Sequence, residues 1–231
     1  MVDGVLVLDK EIVVPGQELA EGMDFLPGSN VLRDGNKLIA TKLGLVQISN
    51  RLVKLVPLVG GYFPKKGDMV IGKIASISTS GWRVDFGWPF EALLSIREVS
   101  NSYIPVNGIE DMIKIYNFDD AVIVLIINVF GNKIIDVSTK APGLRKLGPG
   151  RLVKIEASKV PRVIGKQGSM INMIKEYTNC KVLVGQNGLV WLSGPDIESE
   201  LLAVKVIKKI EDESHVSGLT DRIKAFFEEK K

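Results

Sequence analysis

VIGKQGSMI, residues 163–171, sets two glycines, Gly165 and Gly168, around Lys166 and Gln167 between apolar flanks. Glycine lacks a Cβ, so it takes backbone angles closed to other residues and lets another molecule approach the main chain. Reading outward, LVKIEA predicts a strand and VPRVIG a short helix before the turn. SMINMIKEYT predicts a helix after it, with Met170, Ile171, Ile174 and Tyr177 on one face. KVLVGQ and LVWLSG then form a hairpin around Asn187-Gly188, a favoured pair for tight turns. PDIESELLAVKVIKKIEDE follows as a helix, with Pro195 in its first turn and Ile197, Leu201, Val204, Ile207 and Ile210 sharing a face. LTDRIKAFFEEKK adds a last helix.

Charge singles out the same region. The chain carries a net +3, yet residues 151–195 hold seven basic and two acidic side chains, a local +5. A basic patch of this kind suits phosphate, although a solvated surface has the same composition. In the turn itself, backbone N–H groups freed of Cβ atoms reach nucleic-acid phosphates, and Lys166 adds a cation beside them. A helix–turn–helix joint uses glycine for geometry alone, so the turn speaks for RNA only together with its surroundings. A second turn, Gly185 to Gly188, has no helix N-terminus after it and reads as structural, through Gly185, Asn187 and Gly188.

The rest of the chain is rich in short strands. Residues 1–60 contain GVLVLD, EIVVPGQEL, DFLPGSNVLRDGNKLIATKLGLVQI and RLVKLVPLV, punctuated by turn signals, and predict a small all-β module. MVIGKIASIS, GWRVDFG, FDDAVIVLIINVF and KIIDVSTK belong to a set of five strands in about 75 residues, the pattern of an OB-type barrel, with VSNSYIPVNG as a loop. Alternation puts Trp82, Val84 and Phe86 in the barrel core and Arg83 outside. APGLRKLGPG, residues 141–150, reads as a linker. The fold class is therefore multidomain and mainly β, with an α+β C-terminal part: a β module at 1–62, a barrel at 63–140, a linker at 141–150 and a βααββα domain with an extra helix at 151–231.

Composition narrows the chemistry. One cysteine, Cys180, leaves no internal disulfide and fits a cytoplasmic location, and no apolar run is long enough to cross a membrane. With one histidine, His215, a Cys/His zinc site does not form within one chain, and any Ser-His or Cys-His pair has to use that residue. His215 lies in EDESHVSG, which reads as a solvated helix end. No catalytic residue, metal or cofactor is expected.

The element order around VIGKQGSMINMI resembles a KH domain of the kind with its extra helix at the C-terminal end, on Ile164, Gly165, Gly168 and Ile171. The resemblance implies single-stranded RNA held by the loop, with bases across a groove walled by Ile164, Ile171 and the strand 181–184. The RNA-facing candidates are Lys159, Arg162, Ile164, Gly165, Lys166, Gln167, Gly168 and Lys181. GDMVIGKIASISTSGWRVDFGWPFEALLSIREV resembles the S-one domain on Gly67, Asp68, Gly72, Val84, Asp85, Gly87, Glu91, Leu93 and Leu94. Where that family carries base-stacking aromatics and a histidine, this chain has Ser80, Arg83 and Ser95. Backbone contacts through Arg83, Lys65, Lys66 and Arg97 remain, which implies a weak, salt-sensitive RNA surface.

Taken together, the three parts resemble the S-one/KH cap subunits of the archaeal RNA exosome. That resemblance implies a non-catalytic chain that captures RNA and feeds a hexameric, phosphorolytic ring of RNase PH-like subunits, three caps to a ring. It further implies that the first module docks on the ring and that Gly185–Gly188 packs between barrel and KH domain. Two other classes stay open: a transcription or translation factor built from S-one and KH modules, which normally carries two KH modules, and an independent RNA-processing enzyme, for which no clustered carboxylate set is apparent.

Overall fold

The computed structural model describes residues 4–58, 60–99, 108–131, 133–214, 216 and 218–228. His215 and most of the loop VSNSYIPVNG lie outside the described residues. The chain forms two compact units, Met1–Gly61 and Tyr62–Lys231.

Among the described residues the first unit contains seven strands: β1 (Ile12–Val13), β2 (Glu18–Glu21), β3 (Leu26–Pro27), β4 (Val31–Asp34), β5 (Lys37–Ala40), β6 (Gly44–Ser49) and β7 (Leu52–Pro57). They make a sheet ordered β1-β6-β7-β3 and another ordered β2-β5-β4. Val13, Leu19, Phe25, Leu38, Val46, Val53 and Leu55 form the core. GVLVLD is not a strand. Only Val5 bridges to Ala20, because Gly4 and the following turn interrupt the pairing.

In the second unit, β8 (Met69–Ser78), β9 (Gly81–Asp85), β10 (Ala92–Ser95), β11 (Ala121–Val129) and β12 (Ile135–Ser138) close a barrel. Closure comes from β12, which pairs parallel to β10 and antiparallel to β11. Trp82, Val84 and Phe86 are buried as alternation requires, and Arg83 is exposed. The indole N–H of Trp82 donates to the Tyr116 carbonyl at 3.0 Å, which satisfies its one polar atom. A short helix not expected from the sequence, α1 (Ile109–Ile115), drops Met112 into the barrel core.

The stretch 141–150 is not a plain linker. It contains β13 (Arg145–Lys146), paired to β11, and it buries Leu144 and Leu147.

The remainder is strand β14 (Arg151–Lys154), helix α2 (Val160–Ile164), helix α3 (Ser169–Thr178), strands β15 (Lys181–Val184) and β16 (Leu189–Ser193), and helices α4 (Ile197–Asp212) and α5 (Leu219–Glu228). The sheet order is β14-β16-β15, all antiparallel. Val182, Val190 and Leu192 pack against the helices. Leu183 and Trp191, on the opposite face, pack with Ile71 and Ile123 of the barrel and with Leu144 and Leu147. The two faces of one sheet thus hold both neighbours.

Two helix faces differ from expectation. In α3 the buried residues are Met170, Met173, Ile174 and Thr178, while Tyr177 turns outward to stack on Phe227 of α5 at 4.5 Å. In α4 they are Ala203, Val206, Ile207 and Ile210, and Ile197 and Leu201 are exposed. Ala203 and Val206 lie on the other flank of Ile207 from Leu201, so small apolar residues moved the stripe. Pro195 precedes α4 rather than starting it. Asp196 is the N-cap, its carboxylate accepting from Ser199 N–H at 2.7 Å.

Candidate nucleic-acid interface

Helix α2 ends because Gly165 takes φ +75, ψ 173, where side chains rarely go. A Cβ at Gly165 would lie 2.7 Å from the Met170 amide nitrogen, so the loop closes onto α3 only with glycine. Lys166 to Gly168 form a tight turn, in which Gly168 N–H donates to the Gly165 carbonyl at 3.2 Å. Gln167 and Gly168 both have positive φ, 53 and 79. Gly168 has room for a Cβ, so its requirement is the left-handed backbone. The turn leaves Lys166 and Gln167 exposed at the head of α3, whose first turn has no side-chain cap. Uncapped N–H groups beside a lysine are a ready receptor for an anion.

Arg162, Gly165, Lys166 and Ser169 line a cleft of about 410 Å³ with Thr220 and Asp221 at the start of α5. Sequence reasoning did not place α5 there. Lys159 immediately precedes α2, makes no side-chain capping bond and is half-buried. Ile164, Ile171 and Val184 are half-buried against the helical core, which leaves apolar edges beside the loop. Lys181 is not brought to them. It shares its side of β15 with Leu183, which packs toward the barrel, while Val182 and Val184 face the helices.

The barrel cations do not converge either. Lys65 and Lys66 precede β8, where Gly67 N–H donates to Ile126 O at 2.8 Å. Arg97 follows β10 next to the turn at Ser80, whose carbonyl accepts from Ile96 N–H at 3.1 Å. β8 and β9 run antiparallel between these places, so they lie at opposite ends of the barrel, with Arg83 on the outer surface between.

The second glycine turn is closed by the same kind of bond but packed differently. Gly188 N–H donates to Gly185 O at 3.1 Å, and four residues, rather than Asn-Gly alone, join β15 to β16. Gly188 has φ +81, and a Cβ there would strike the Ile155 carbonyl. Asn187 is buried, and its amide nitrogen donates to the carbonyls of Ile71 and Phe86, each at 2.7 Å. Gln186 N–H donates to Met69 O at 2.8 Å. The turn is therefore a contact between the α+β domain and the barrel.

Among the described residues, no group of three or more His, Cys, Asp or Glu is placed to hold a metal. No helix is long and apolar enough to cross a membrane. Burial pushes the Cys180 thiol up from its ordinary value, against a smaller opposing effect of its hydrogen bond with Thr178, so it is no ready thiolate.

The three parts match three family descriptions: the Exosome RNA binding protein RRP4 N-terminal domain at residues 10–59, the RRP4 S1 domain at 61–124 and the KH domain at 151–209. Exosome complex component Rrp4 of Thermococcus kodakarensis is 43% identical, covering 96% of this chain and 86% of that protein. Its namesake from Methanothermus fervidus is 39% identical, covering 96% and 97%. A crystal structure described as that of an exosome complex RNA-binding protein superposes with a TM-score of 0.66 at 34% identity, covering 74% of this chain and 97% of that one. Likeness that runs through all three parts in one order, over nearly the whole of both chains, makes this chain a member of the Rrp4 family.

Proposed function

We propose that the chain is the RNA-binding cap of an exosome in the cytoplasm. It holds single-stranded RNA at the loop Gly165–Gly168 and hands it to a separate ring of RNase PH-like subunits, on which three caps sit. The first unit is the part that docks. The chain itself breaks no bond.

One observation carries this reading: a glycine-closed turn that exposes Lys166 and Gln167 at an uncapped helix start, in a chain of the Rrp4 family. Phosphate held there, with Arg162 on the same cleft and Lys159 at the other end of α2, accounts for the local excess of positive charge. Ile164 and Ile171 offer bases an apolar edge. Arg83, Lys65, Lys66 and Arg97 add sequence-independent backbone attraction at the barrel surface.

Joining weak sites on several copies raises the local concentration of substrate without new contacts. RNA decay is to be measured for the ring alone, for this chain alone and for the complex. The complex is expected to outpace the ring most at subsaturating RNA, with the gain fading as salt screens phosphate. Decay by the purified chain alone, or no gain from a verified complex, overturns the proposal.

A further inference from the structure

The barrel has an exposed aromatic end. Phe63, Trp88, Phe90 and Phe130 are four of the chain's eleven Phe and Trp residues, and they come from three separate stretches. The registers bring them together: Phe63 leads into β8, Trp88 and Phe90 follow β9, and Phe130 ends β11. Phe63 and Trp88 meet edge to face at 5.1 Å. With Pro64, Phe130, Lys133 and Ile135 they line an open cleft of about 340 Å³. Val70, Trp82, Phe86, Leu94 and Ile126 fill the barrel core, and the half-buried Trp88 packs against it. Phe63 keeps 61% of its surface exposed and Phe130 48%.

Three lysines stand beside the rings. Lys133 sits over the Phe90 ring at 4.9 Å, and Lys65 and Lys66 are exposed on the segment that carries Phe63. Among the described residues none of these three lysines has an ion pair. Nearby acids are engaged within the fold: Asp68 accepts from the Tyr62 hydroxyl at 2.7 Å and Asp85 from Gly87 N–H at 2.8 Å. Asp85 and Glu91 are both exposed. Flat apolar faces ringed by unpaired cations match a polyanion that carries flat bases. A protein anchor needs the apolar area but not the lysines.

We propose that this end of the barrel is a base-stacking site for single-stranded RNA, with Phe63, Trp88 and Phe130 holding a base and Lys65, Lys66 and Lys133 facing the adjoining phosphates. It lies at the end of the barrel away from Ser80 and Ser95, and it rests on the RNA-binding reading above. Stacking on aromatic faces tolerates any base, so no sequence preference is expected from this site.

The test uses the full chain and labelled ten-nucleotide oligo(A) and oligo(U). Trp82 and Trp191 are buried, so quenching of tryptophan fluorescence on titration reports Trp88, and a Trp88→Phe variant checks the assignment. Phe63→Leu with Phe130→Leu keeps apolar bulk and removes the flat faces. The double variant is expected to bind about five- to a hundredfold more weakly while melting as the parent does. Salt dependence should be kept in the Leu variant and reduced in a Lys65→Gln, Lys66→Gln, Lys133→Gln variant. RNA bound by the parent without quenching, and equally well by the Leu variant, overturns this site and leaves the RNA-binding function standing. No RNA bound by the parent overturns both. Unchanged RNA binding with lost assembly onto ring subunits makes the patch a protein contact and also overturns the proposal.

Discussion

The side chain of Asn187 imitates a neighbouring strand for Ile71: its amide nitrogen donates to the Ile71 carbonyl at 2.7 Å, and its oxygen accepts the Ile71 N–H at 3.2 Å. The same nitrogen reaches Phe86 O, so three backbone groups of the barrel depend on one residue of the α+β domain. Asn187→Ala strands all three in a dry place. The expected loss is about 3–5 kcal/mol of stability, read by calorimetry, with faster proteolysis within 141–150 as the domains part. A variant that melts like the parent would show that water replaces the amide.

Gly188→Val addresses the same turn through the backbone. At φ +81 and against the Ile155 carbonyl, a β-branched residue is excluded twice over. The melting temperature should fall, while RNA affinity measured well below the transition stays near the parent's. Normal melting with lost RNA binding would reassign the turn to RNA.

For the Gly165–Gly168 loop the expected pattern is the reverse. Lys166→Asp with Gln167→Asp should leave melting unchanged, weaken RNA binding, and lower the slope of log affinity against log salt by about one. Unchanged affinity and slope remove phosphate from this loop.

Asp196 and Glu200 give the start of α4 a pH dependence. The hydrogen bonds of Ser199 hold the Asp196 carboxyl below its usual range. The Gly194 N–H, then Arg151, do so for Glu200. Their folded values lie below the unfolded ones, so their contribution is present above about pH 4 and is lost as pH falls through the folded values. Asp196→Ala should therefore melt below the parent at pH 7, and the difference should shrink in acid. A gap that widens in acid contradicts this assignment.

Local patterns carried much of this structure. GxxG between two apolar flanks, the alternation Trp82-Arg83-Val84 and the apolar run 121–130 are each short-range signals, and each element stands where those signals put it. What escaped depends on partners distant in sequence. Helix α1 is seven residues long, too short for periodicity to declare it. β13 exists because β11 offers a free edge, and the Gly/Pro flanks of 141–150 conceal that. Lys181 looked like part of the RNA groove until the barrel claimed the Leu183 side of its strand. Phe63, Phe90 and Phe130 are unremarkable one by one, and only barrel closure gathers them.

The sheet β14-β16-β15 is clasped on one face by its helices and on the other by the barrel. The gap between Lys166 and the barrel's aromatic end is then a fixed length rather than a fluctuating one. With RNA at both proposed contacts, the second unit would act as a ruler for it. A strand too short to span it gains from one contact only, and a strand just long enough gains from both. Affinity plotted against oligonucleotide length should rise in a step, and Asn187→Ala, which frees the hinge, should blur that step into a slope.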